Sequence, residues 1–104
     1  MLFRSGSTST ATDQITGFED GSDRISLGVT PLVVLTGSAQ SSLSSAATAA
    51  QALLDGNTGT KEVAALTVGS DTYLFYASDG GGTVNSAIQI TGISASSFSL
   101  TDFV

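Results

Sequence analysis

The sequence predicts a mainly β domain of antiparallel strands with one α-helix. Three observations predict it. Short runs rich in Val, Ile, Leu, Tyr and Phe recur along the chain and are punctuated by glycine turns, the pattern of strands and hairpins. One alanine-rich stretch departs from that pattern and spaces its apolar residues three and four apart, as a helix face requires. The length of 104 residues without a cysteine gives one small domain that no disulfide can staple, so its core must be economical.

Residues 1–12 open with the apolar pair Leu2 and Phe3, read as a strand, followed by a flexible Ser/Thr arm, SGSTSTAT. Asp13 to Leu27 then reads as two short strands joined by an acidic turn: Ile15 and Phe18 flank the bend at Gly17, and Ile25 and Leu27 lie two apart on one strand face. The apolar run within Gly28 to Thr36 suits a buried strand, with Pro31 near its start, where a missing amide donor is tolerated. Ser38 to Asp55 is the helix, placed near 39–55. Leu43, Ala46, Ala47, Ala50, Leu53 and Leu54 form its stripe, Ser38 or a neighbouring serine caps it, and Gly56 closes it.

The last third is strand-like. Glu62 to Val68 is followed by a tight reversal at Gly69 to Asp71 and by Thr72 to Ala77, with Tyr73 and Phe75 on one face and Leu74 and Tyr76 on the other. A glycine-rich loop from Ser78 to Asn85 precedes the alternating strand at Ile88 and Ile90, which stops at Gly92. Phe98, Leu100, Phe103 and Val104 make an apolar tail.

Charge and composition exclude whole classes of function. With no histidine or cysteine there is no imidazole base and no zinc site built on those residues. A net charge of −6, with Arg4, Arg24 and Lys61 the only basic residues, repels nucleic acid and anionic lipid and favours cations. No apolar run approaches the roughly 20 residues of a membrane span, and Met1 to Thr12 lacks the apolar core of a secretory signal. Serines are plentiful, but Lys61 and the carboxylates are the only bases, so a Ser–Lys dyad is formally possible while the inventory argues against an enzyme.

Three blocks carry a resemblance. Asp13, Ile15, Phe18, Gly21, Asp23, Ile25 and Leu27 spell D-x-I-x-x-F-x-x-G-x-D-x-I-x-L, which resembles the segment after the calcium-binding β-roll of RTX proteins such as the serralysin C-terminal region. Gly69 to Phe75 is similar to the G-x-D-T-Y-L-F hairpin of the same modules, and Ile88 to Ile93 to their I-x-L-T-G-V strand. The resemblance implies a β-roll-like or β-sandwich-like capping domain over residues 13–104, with 1–12 supplying a last β-roll-like strand and arm. It also implies export by type I secretion machinery to the extracellular space or cell surface. The terminal Asp102, Phe103 and Val104 are similar to the acidic-then-apolar address of such proteins, or they complete a core strand. The nonapeptide repeat that ligates calcium is absent, and Gly17 stands where the family often has an acid.

Calcium takes six to eight oxygens, many from carboxylates and from carbonyls that glycine turns expose. Two places offer them: Asp13, Asp20 and Asp23 around Gly17 and Gly21, and Asp79 to Asn85 with Gly80 to Gly82 and Asp71 nearby. Each also reads as a solvated turn in which Asp accepts from nearby amides. The expected function is a non-catalytic export address and calcium-stabilised cap. The alternative is a self-assembling subunit of an extracellular layer, filament or matrix, in which open strand edges or the arm at Gly6 to Thr12 pair with a neighbouring copy.

Overall fold

Strand alternation sorts the apolar residues of the central strands onto two faces, and the protein buries both. The structure is a computed structural model that describes residues 2–4, 13–19, 22–27, 30–57, 61–77, 81 and 83–103; the arm at Gly6 to Thr12 lies outside them. β5 (Glu62–Val68) turns into β6 (Asp71–Tyr76) through Gly69 and Ser70, with Gly69 at φ +65°. Glycine, with no Cβ, enters that left-handed region at the lowest cost. β5 and β6 pair antiparallel from Val63↔Tyr76 to Val68↔Asp71, and β6 pairs antiparallel with β7 (Ser86–Ile90) from Thr72↔Ile90 to Tyr76↔Ser86.

Val63, Ala65, Leu74, Tyr76, Ile88 and Ile90 face one core, while Ala64, Leu66, Phe75 and Ala87 face the other. None of these ten is more than 2% exposed. Burial on both faces is why Val63 to Leu66 reads as an unbroken apolar run.

The helix α1 (Leu43–Gly56) covers the second face with Ala46, Ala50 and Leu54. Its first turn is capped by Ser42, whose side-chain oxygen accepts the Ser45 amide at 3.1 Å, and at its end the Asn57 amide donates to the Leu54 carbonyl at 3.2 Å. The helix begins later than the periodicity predicts because the preceding residues are held by the sheet: the Gln40 amide donates to the Thr67 carbonyl at 2.8 Å. The helix closes the connection from β4 (Val33–Thr36) to β5, which pair in parallel from Val33↔Glu62 to Thr36↔Ala65. Parallel neighbours need such a crossover.

The mainly β class with one helix holds, but the pairing is mixed and not antiparallel throughout. The main sheet runs β2-β7-β6-β5-β4, and β2 (Asp13–Ile15) joins β7 in parallel, as β4 joins β5. β2 and β3 (Arg24–Ser26) are not partners of each other: β3 pairs in parallel with β1 (Leu2–Arg4) in a separate two-stranded sheet. Ile25 and Leu27 pack from there onto the first face of the main sheet, joined by Ile15, Phe18, Phe98 and Phe103. The Phe98 ring lies 5.6 Å from Phe18 and 6.4 Å from Phe103 between centroids. Nor is β4 a buried strand. It forms an edge, with Val33, Val34 and Leu35 half-buried and the preceding Leu32 65% exposed. Among the described residues, no helix is long and apolar enough to cross a membrane.

Candidate functional site

The acidic turn between β2 and β3 uses its carboxylate internally. Asp23 is 8% exposed, and its Oδ2 accepts the Glu19 amide at 2.9 Å. The Glu19 carbonyl in turn accepts the amides of Ser22 at 3.1 Å and Asp23 at 2.8 Å, so the segment is closed from both sides. Gly17 sits at φ +81°, a backbone conformation that glycine adopts at little cost. Asp13 places its backbone opposite Ile88 in the sheet. Asp20 lies outside the described residues.

The second predicted group divides between opposite ends of the sheet. Asp71, at the head of β6, accepts the Gly92 amide through Oδ1 and the Gln89 side-chain amide through Oδ2, both at 2.9 Å. Asn85 is next to Ser86, which pairs with Tyr76 at the far end of β6. Five residues at about 3.4 Å each put about 17 Å between Asp71 and that end, so Asp71 and Asn85 do not share a site. Asn85 donates its amide to the Tyr76 carbonyl at 3.2 Å and accepts the Ser86 hydroxyl at 2.8 Å. Asp79 lies outside the described residues, and among those described no three acidic side chains cluster.

One residue at the Asn85 end escaped the sequence reading. Glu62, the first residue of β5, is only 3% exposed. Its Oε2 accepts the Asn57 side-chain amide at 2.8 Å, while its Oε1 is buried and has no hydrogen-bond partner among the described residues. The visible signal was a lone acid at the head of the run Val63 to Leu66, where its neighbours demand burial. The preceding Lys61 is exposed, takes φ +56°, and accepts the Leu32 amide at its carbonyl at 2.7 Å.

The terminal motif is built into the core. Asp102 is fully buried, and its Oδ2 accepts the Ser99 amide at 2.9 Å. Phe103 is 6% exposed and bridges to Ile25, while the Arg24 guanidinium donates to the Thr101 carbonyl. Val104 lies outside the described residues.

A shallow groove of about 530 Å³ runs along α1 between Ala47, Thr48, Gln51, Ala52, Asp55 and Val84. Its polar groups are already engaged: the Gln51 side chain donates to Asp55 at 2.9 Å and accepts the Val84 amide at 2.8 Å. That arrangement ties the strand entry of β7 to the helix; it does not pair a nucleophile with a base. In comparisons with known proteins, no family model and no curated sequence matches the chain.

Proposed function

We propose that the chain is the non-catalytic C-terminal module of an extracellular RTX-type protein, serving as a type I secretion address and a calcium-stabilised structural cap. The observation that carries this reading is spatial. The first strand of the Asp13 to Leu27 block, the strand block and the hairpin block lie side by side, β2 beside β7 beside β6, and Asp71 of the hairpin block accepts hydrogen bonds from Gly92 and Gln89 of the strand block. Segments far apart in sequence thus form one unit, as a shared module requires. The parallel pairing of β1 with β3 supports the capping role, since a β-roll stacks its rungs in parallel.

The address is read on the unfolded chain, because Asp102 and Phe103 are buried after folding. Deleting Thr101 to Val104 is expected to abolish export through a reconstituted type I transporter. Undiminished export of the deleted chain would refute the address.

Assembly into an extracellular layer or filament is the second reading, favoured by the edge strand β4 with its exposed Leu32. Edge strands with apolar side chains are templates for pairing with another copy. Light scattering that grows with protein concentration, and that Leu32→Lys suppresses, would select it over a monomeric cap.

A further inference from the structure

We propose that Glu62 Oε1 is a ligand of a hard divalent cation held at the C-terminal end of α1, a site distinct from both acidic turns. A carboxylate oxygen buried without a donor is costly unless a proton donor or a metal ion meets it. Glu62 Oε1 is such an oxygen among the described residues, in a side chain 97% removed from solvent by its 3% exposure.

The surroundings favour a cation over a neutral donor. Glu62 is bonded to Asn57, the residue that ends α1, so its carboxylate sits at the negative pole of the helix dipole. The last turn of that helix contains no basic residue to offset the pole, and it does contain Asp55. Lys61 is next in sequence but exposed.

The available ligands are oxygens. Asn57 carries its amide oxygen on the same carbon as the nitrogen that reaches Glu62. Carboxylate, amide and carbonyl oxygens without nitrogen or sulfur ligands suit calcium, and magnesium less well because it demands near-ideal octahedral geometry. The choice of calcium among hard cations rests on the extracellular-module reading; the existence of the site does not.

Thermal melting of the full chain in calcium chloride and magnesium chloride tests it, with Glu62→Gln and Asp71→Asn alongside the wild type. Millimolar calcium should raise the wild-type Tm by at least about 5 °C, as a ligand selective for the folded state does well above its Kd. Glu62→Gln should lose that rise, while Asp71→Asn should melt lower yet keep it. A full rise in Glu62→Gln would overturn the site and leave a calcium-stabilised cap intact. No rise in the wild type with either salt would overturn both.

Manganese broadening of amide NMR signals in the wild type gives a second readout that does not depend on a variant folding. Loss of the Asn57, Glu62 and Val63 signals before those of Asp71 and Gly92 is expected. Broadening centred on Asp71 or Asp23 would reject the assignment.

Discussion

At the residue scale, Asp23, Asp71 and Asp102 each accept a backbone amide from a nearby segment, a use of Asp that sequence alone does not separate from metal ligation. Asp23 and Asp71 each accept backbone amides that lie close to glycines at positive φ. A glycine turn rich in Asp looks the same in sequence whether its oxygens face an ion or its own amides. Glu62 was hidden for the opposite reason: an acid among apolar residues carries no turn signal. Gly37 shows a different constraint. A Cβ there would lie 2.7 Å from Leu66 Cδ2 and 3.3 Å from Leu53 Cδ1. Leu66 is fully buried and has little room to yield. Gly37→Ala should therefore destabilise the fold by about 1–3 kcal/mol, read from the urea midpoint, by overpacking the helix face.

At the element scale, hairpins were legible and edge strands were not. Gly69 with the alternation of Tyr73 to Tyr76 specified β5–β6 locally, because a two-residue reversal brings its own strands together. The parallel partners β4–β5 and β2–β7 depend on contacts distant in sequence, which no local pattern encodes. The helix stripe was legible, but its start was shifted by the competing bond from Gln40 to Thr67. The two boundaries predict different mutants. Ser42→Ala should cost about 1 kcal/mol by removing the cap that accepts the Ser45 amide, whereas Ser38→Ala should leave the Tm nearly unchanged. Equal effects of the two substitutions would move the start of the helix back to the earlier position.

At the scale of the whole molecule, the layers determine which losses matter most. The first face of the sheet is covered by residues from β3 and by Phe98 and Phe103, so the C-terminal segment is part of the core. Phe103→Ala should cost about 3–5 kcal/mol, a large share of the roughly 5–15 kcal/mol that keeps a domain folded, and calorimetry should show a Tm more than ten degrees lower. The sequence marked Phe103 as either signal or core. In the structure its ring belongs to the core, packed with Phe98.

The short strand β3 has one further consequence. Ile25 is aligned with Phe3 on one side and bridged to Phe103 on the other, so contacts from positions 3 and 103 converge on a single residue. The chain is clasped like a belt at its buckle, and the clasp closes the whole stretch from Phe3 to Phe103. Closing so long a loop must precede any gain from the contact, which makes this step slow and late in folding. Once fastened, the clasp couples β1 to the segment at Phe103, because losing either pairing loosens the same residue, Ile25.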